Sequence, residues 1–240
     1  MLLELHDIYA GYDGGDVLKG ISLGVEQGTT TCIVGPNGAG KSTVLRVLSG
    51  LLKPRLGKVI FDGRPITGLT PRQILALGIV QVPQSHSLFP TMTVRQNVRL
   101  GAYTIHDQGL VERRLREVEE KFPIVRERAR DKAGSLSGGQ QRLVEFARCL
   151  MLDPRVILLD EPSMGLDPRT FKLVIEKIKV MQSSGRTIVL VEQNARTGLS
   201  LADNGIVLES GRIRLEGTHT EILNNPEIGH LYLGGTLSNA

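Results

Sequence analysis

The chain has no tryptophan, and aromatic residues make up only 4% of it. A basic face interleaved with stacking rings, the usual surface for single-stranded nucleic acid, is missing, so no nucleic-acid partner is expected. There are two cysteines, Cys32 and Cys149. They read as buried free thiols of a reducing compartment and not as a disulfide framework. No run of 18 apolar residues occurs, so no segment is expected to cross a membrane by itself. The opening residues lack a basic stretch followed by an apolar one, and no signal peptide is expected. Internal repeats and low-complexity segments are also missing. Neither sign of charge dominates: the formal net charge is +4. The basic run Arg126-Glu127-Arg128-Ala129-Arg130-Asp131-Lys132 is broken by acids and reads as a solvated face.

What remains is ordinary globular composition. The 240 residues are 40% hydrophobic and 22% charged, enough for one large α/β domain with a sizeable core. Apolar strand patterns and helical patterns alternate along the chain. Residues 2–12 and 17–25 read as strands joined at Asp13-Gly14-Gly15-Asp16. Residues 58–61 and 64–66 read as a hairpin around Asp62-Gly63. Thr70-Pro71 reads as a helix start, and 78–82 as a strand. From about residue 88 to 152 the pattern is helical; Val111, Leu115, Val118 and Phe122 recur at the spacing of one helix face. Alternation then resumes with strands at 156–160 and 187–192, a helix at 168–181 capped by Asp167, and a hairpin over 205–215. The reading is a mostly parallel core sheet from residues 1–87 and 153–235, an antiparallel N-terminal side sheet, and a helical insertion. Residues 236–240 read as a loose tail.

The segment Gly35-Pro36-Asn37-Gly38-Ala39-Gly40-Lys41-Ser42-Thr43 fits the phosphate-binding pattern G-x-x-x-x-G-K-[ST]. Its glycines let backbone N–H groups curl around an anion. Lys41 supplies a charge for the β- and γ-phosphates, and the Ser42 hydroxyl can ligate Mg²⁺. Thr30-Thr31-Cys32-Ile33-Val34 before it is a strand pattern, and the run from Val44 to Leu48 a helical one. The loop is therefore placed at a helix N-terminus, where the helix dipole favours anions.

Nucleotide hydrolysis also needs a metal and a positioned water. Val156-Ile157-Leu158-Leu159-Asp160-Glu161 offers both at the carboxyl end of an apolar strand, the edge at which α/β sheets bind ligands. Asp160 is expected to hold Mg²⁺ and Glu161 to polarise the attacking water. Leu136-Ser137-Gly138-Gly139-Gln140 opens a second helix and offers a second anion site.

The phosphate loop, Leu-Ser-Gly-Gly-Gln, Leu-Leu-Asp-Glu-Pro and Ser163-Met164-Gly165-Leu166-Asp167 together resemble the ATP-binding subunit of ATP-binding-cassette (ABC) transporters, over about residues 2–235. The resemblance implies the ABC form of the P-loop NTPase fold and a head-to-tail dimer in which Ser137, Gly138, Gly139 and Gln140 act on the partner's ATP. It implies that Gln84 touches Mg²⁺ and water, that Tyr12 stacks on adenine, and that Asp167 lies at the dimer interface. One departure stands out: Gln193 occupies the place where many members carry a histidine against the γ-phosphate. An amide donates a hydrogen bond but carries no charge.

The Val191-Glu192-Gln193-Asn194 segment, the stretch Phe89-Pro-Thr-Met-Thr-Val-Arg-Gln-Asn97 and the ending Leu231-Tyr-Leu-Gly-Gly235 are similar to one of the two ATPase subunits of branched-chain amino-acid importers and of the related urea or short-chain amide importers. Such a subunit works with ATP and Mg²⁺ on the cytoplasmic side of the membrane. Its implied partners are a second ATP-binding subunit, two membrane permeases and, indirectly, an extracytoplasmic solute-binding protein. The ATPase of a lipid or polysaccharide exporter is the alternative. A soluble assembly factor is disfavoured, because the chain has one cassette and no coiled-coil or zinc insertion.

Overall fold

The computed structural model describes residues 1–85 and 87–225. The 231–235 ending and the 236–240 tail lie outside the described residues.

The first layer is an antiparallel sheet. Strand β1 (Leu3–Tyr12) turns at Asp13-Gly14 into β2 (Gly15–Val25), and β4 (Leu56–Phe61) turns at Asp62-Gly63 into β5 (Arg64–Pro65). All four turn residues have positive φ, between 45° and 89°. This is the signature of two-residue hairpin turns, which Asp-Gly pairs adopt at low cost. The sheet order is β2-β1-β4-β5.

The second sheet has the order β10-β9-β3-β8-β7-β6. Its members are β3 (Thr30–Val34), β6 (Ile79–Val82), β7 (Val156–Asp160), β8 (Thr187–Glu192), β9 (Asn204–Glu209) and β10 (Arg212–Thr218). Five of these strands run parallel, and β10 returns antiparallel to β9 through Ser210-Gly211. Every residue of β3, β7 and β8 is buried. Their continuous apolar runs are what a sheet covered on both faces requires.

Alternate side chains feed two cores. Val156 and Leu158 of β7 join Val44 and Leu48 of helix α1 (Lys41–Leu48) and the side sheet. Ile157 and Leu159 join the helices on the opposite face. Those are chiefly α6 (Gly138–Leu150) and α7 (Pro168–Ser183), which contribute Val144, Phe146, Val174 and Ile178.

Between β6 and β7 run α3 (Val94–Leu100), α4 (Gln108–Lys121), α5 (Ile124–Glu127), a 3₁₀ turn and α6. Val111, Leu115, Val118 and Phe122 are all buried against α6 and its neighbours. The remaining helices are α2 (Pro71–Ala76), α8 (Ala195–Leu199) and α9 (His219–Leu223). Thr70 and Gln73 form a capping box at α2, with Pro71 in the first turn. The Thr-x-x-Gln spacing satisfies two orphan N–H groups reciprocally, and Pro lacks the N–H that would otherwise be unpaired.

The sheet register sets the site. Val34 lies opposite Glu192, Asp160 opposite Val191, and Val82 opposite Leu159. The phosphate loop, Gln193, Glu161 and Gln84 therefore all leave one edge of the sheet within a residue or two of each other.

Candidate nucleotide-binding site

The phosphate loop ends one turn earlier than the apolar pattern indicates: α1 begins at Lys41 and not at Val44. Lys41, Ser42 and Thr43 are polar, so hydropathy does not mark them as helical, yet they form the first turn. The residue before them, Gly40, has φ of 105°, and no side chain caps the helix. A Cβ at Gly40 would sit 2.7 Å from Leu18 Cδ2, on top of a backbone conformation that only glycine adopts freely. The first N–H groups of α1 are left without a side-chain acceptor, which is the arrangement that binds anions.

Lys41 is buried, with 5% of its surface exposed. Its Nζ donates to the carbonyls of Gly35 at 2.9 Å and Pro36 at 3.1 Å. It also lies 3.8 Å from Glu161 Oε1. The Ser42 hydroxyl donates to Asp160 Oδ1 at 2.9 Å. Burial pushes the Asp160 carboxyl above its ordinary range, and the Ser42 hydrogen bond opposes that shift. Gln84 Nε2 donates to Glu161 Oε2 at 2.8 Å. Glu161 is thus held between an amide and an ammonium while its backbone has φ of 45°. Left-handed backbone at a glutamate is strained, and strain of this kind persists only where surrounding contacts over-determine it.

Asn37, Gly38, Gly40, Lys41, Ser42, Thr43, Gln84, Glu161 and Gln193 line one cavity of about 500 Å³. Val17 and Met164 complete its wall. Gly35, Pro36 and Ala39 belong to the loop itself, and the Ala39 N–H donates to the Pro36 carbonyl at 3.2 Å. Tyr12 is not part of its lining. Its hydroxyl accepts from Arg46 Nη1 at 2.8 Å, and the guanidinium lies 5.7 Å from the ring centroid. The residue is 43% exposed.

The start of α6 is built differently. Ser137 caps α6 and forms a capping box with Gln140: Gln140 N–H donates to Ser137 Oγ at 3.4 Å, and Ser137 N–H to Gln140 Oε1 at 3.0 Å. Ser137 and Gly138 are exposed, whereas Gly139 is buried. None of the four lines the phosphate-loop cavity. A Cβ on Gly139 would sit 1.8 Å from Thr170 Cγ2. Thr170 Oγ1 in turn donates to Asp167 Oδ2 at 2.5 Å. Asp167 caps α7 by accepting from the Arg169 and Thr170 N–H groups at 3.0 and 3.2 Å. These hydrogen bonds, the Thr170 hydroxyl foremost, hold its carboxyl below the ordinary range.

Three groups escape a reading of the sequence alone. Arg142, 3% exposed, donates to the carbonyls of Pro83 and Gln84 at 2.8 and 2.7 Å and pairs with Glu145 at 3.0 Å. The helix that starts with Ser137 therefore grips the backbone of Gln84. Thr170 is the packing partner of Gly139. Glu192, 3% exposed, accepts from the Ser163 N–H at 3.2 Å. The only sequence signal was a charged residue closing the fully apolar strand β8. Hydropathy places such residues at the solvent.

The model of the ABC transporter family matches residues 18–164. A high-affinity branched-chain amino acid transport ATP-binding protein, BraG of Pseudomonas aeruginosa, is 36% identical over 98% of this chain and 100% of its own length. A probable branched-chain amino acid transport ATP-binding protein, LivF of Archaeoglobus fulgidus, is 35% identical over 97% of this chain and 99% of its own. Among solved structures, the dimeric ATP-binding cassette MJ0796 in a post-hydrolysis state with ADP and Pi has a TM-score of 0.80 at 28% identity. The match covers 90% of this chain and 98% of that one. With the phosphate loop, the paired carboxylates and the second anion motif in place on this α/β P-loop fold, the chain belongs to the ABC transporter family as one of its ATP-hydrolysing cassettes.

Proposed function

We propose that this chain is the ATPase subunit that energises uptake of branched-chain and other hydrophobic amino acids through an ABC transporter. One observation carries the mechanism. Lys41, Ser42, Gln84, Glu161 and Gln193 face one cavity, with Asp160 bonded to Ser42, while Ser137, Gly138 and Gly139 do not reach it. The chain holds two halves of different sites, and pairing head to tail with a second cassette completes both. The 36% identity to an amino-acid importer subunit over its full length supports the solute class.

In this reading Lys41 and the uncapped amides of α1 hold the β- and γ-phosphates, and Tyr12 covers adenine. Ser42, Asp160 and Gln84 would hold Mg²⁺. Their hydroxyl, carboxylate and amide oxygens are the hard donors that ion prefers. The Ser42 and Asp160 oxygens already converge to 2.9 Å. Bound there, the ion supplies charge neutralisation of the phosphates. Glu161 accepts the proton of the attacking water. Gln193 donates to the γ-phosphoryl oxygens, and the partner cassette's own signature closes the opposite face. Asp167, with Thr170 against Gly139, ties the carboxylate loop to the signature that serves the other site.

The assembly has two permease subunits and lies peripherally on the cytoplasmic face, with the solute-binding protein acting from the other side. Among the described residues, no helix is long and apolar enough to cross a membrane. The core and the helical part divide at about residues 88 and 152. Where they meet, Val80, Val82, Leu100, Tyr103, Cys149 and Leu152 line an apolar cavity of about 360 Å³, suited to a permease segment. Strand β6 runs from that cavity towards Gln84, a short route from γ-phosphate to the permease. Uptake of labelled leucine and of urea, in cells carrying the Glu161→Gln subunit, tests the reading. Loss of leucine uptake with urea uptake intact is expected; the reverse overturns the solute assignment.

A further inference from the structure

The loop between Glu161 and Asp167 has few anchors of its own. Met164 N–H donates to the Glu161 carbonyl at 3.2 Å, and Leu166 N–H to the Ser163 carbonyl at 3.4 Å. The firm attachments come from the neighbouring strand. Val191 C=O accepts from the Glu161 N–H at 2.9 Å, and one residue on, Glu192 Oε1 accepts from the Ser163 N–H at 3.2 Å. The next residue, Gln193, faces the phosphate cavity.

We propose that Glu192 is a positioning residue for ATP hydrolysis: its buried carboxylate clamps the Ser163 amide, so that Glu161 and Gln193 are aimed at the same phosphate. The left-handed backbone of Glu161 needs this. A residue at φ of 45° relaxes once the residues after it are free to move. The carboxylate stem has no freedom of its own. It is packed beneath α8 so closely that a Cβ on Gly198 would lie 2.8 Å from Glu192 Cβ and 2.6 Å from Cys32 Sγ.

A carboxylate is a costly way to fill that space. Burial is the main force pushing the Glu192 pKa up to about 6, with the Glu161 charge adding to it and the hydrogen bonds from Ser163 and the Gln193 backbone opposing it. The titratable groups that bear on it are Glu161 at the end of β7 and Cys32 on β3, and neither is a cation. An apolar side chain would fill the site without that cost. What it could not do is accept from Ser163, and a charged acceptor binds an N–H more strongly than a neutral one. The inference rests on the ATPase activity alone and not on the transported solute.

The test is steady-state hydrolysis by the assembled transporter together with ATP affinity of the full-length chain by calorimetry. Glu192→Ala is expected to lower kcat by about tenfold or more while the ATP Kd stays within about threefold, the split of a group that acts on orientation and not on binding. Glu192→Gln keeps an acceptor for Ser163 and is expected to hold kcat within about threefold of wild type near neutral pH. An Ala variant with wild-type kcat, or one whose kcat and affinity fall together, overturns the proposal. So does a Gln variant whose kcat falls by about tenfold or more, a result that decides the matter even if the Ala variant does not fold.

Discussion

Helices α1 and α6 both begin in glycine-rich segments, but their N-termini are finished in opposite ways. At α1 the N-cap is Gly40 in a left-handed conformation, with no side-chain acceptor, and the first turn carries the buried Lys41. At α6 the N-cap is Ser137, which closes a capping box with Gln140 and is exposed. The first terminus leaves its amides open to an anion; the second is closed by its own side chains. A cap costs about 1 kcal/mol to remove, so α6 keeps its geometry whether or not a nucleotide is near. The Ser137 hydroxyl uses a lone pair in the cap and still has its proton to donate. This fits a division of labour in which α1 recruits ATP and α6 is a preformed surface that closes over the partner's ATP.

The largest effect is expected at Glu161. Replacing it by Gln removes the proposed general base, and general-base loss costs about 10² to 10⁴ in rate. Turnover should fall by that much while calorimetric ATP affinity holds, and the closed dimer should accumulate on a sizing column. Single-turnover hydrolysis near the wild-type rate would remove Glu161 from its role. At Lys41 the effect moves from rate to binding. The ammonium is buried and already aimed by the Gly35 and Pro36 carbonyls. A hydrogen bond to a charged group is worth about 1.5–3 kcal/mol, so Lys41→Ala should weaken ATP binding by about ten- to hundredfold. Unchanged affinity by calorimetry would contradict the α1 half of the comparison.

In the proposed dimer, Gln193 makes the two composite sites unequal. One is closed around this chain's Glu161 and Gln193, the other around the partner's catalytic set and this chain's Ser137. A neutral amide stabilises developing γ-phosphate charge less than a partly protonated imidazole does. Gln193→His in the assembled transporter should therefore raise turnover, by up to about tenfold to a hundredfold if a full charged donor is gained. No change, or a fall, would mean that the amide is already matched to its site.

The sequence legibly marks whatever the local chain decides. Val156–Asp160 and Thr187–Glu192 are strands where the apolar runs 156–159 and 188–191 indicate them, because a parallel strand covered on both faces is apolar along its centre. Thr70-Pro71, Asp167 and Asp62-Gly63 state their caps and turns in the residue type itself. Contacts between segments far apart in the chain are not marked. Nothing near Gly139 announces Thr170, and nothing near Gln84 announces Arg142. Buried charges mislead in the same way. Arg142, Glu145 and Glu192 read as surface residues in any hydropathy window, yet each is under 4% exposed. They are held inside by partners that only the fold brings together.

The smallest effect separates the two jobs of Ser137. Within its own chain the serine caps α6, and Ser137→Ala should lower stability by about 1 kcal/mol, a shift of a few degrees in Tm for a domain of this size. ATP binding by the isolated chain should not change, since Ser137 does not line the phosphate-loop cavity. In the proposed dimer the same substitution would remove a donor from the partner's γ-phosphate. A Ser137→Asn variant distinguishes the two: asparagine caps a helix as well as serine does, but its bulkier amide replaces the small hydroxyl at the closing surface. Stability should return to within a few tenths of a kcal/mol of wild type, while turnover in the assembled dimer stays low. If Asn restores turnover together with stability, the serine is a cap and no more. The asymmetry between α1 and α6 would then concern folding alone.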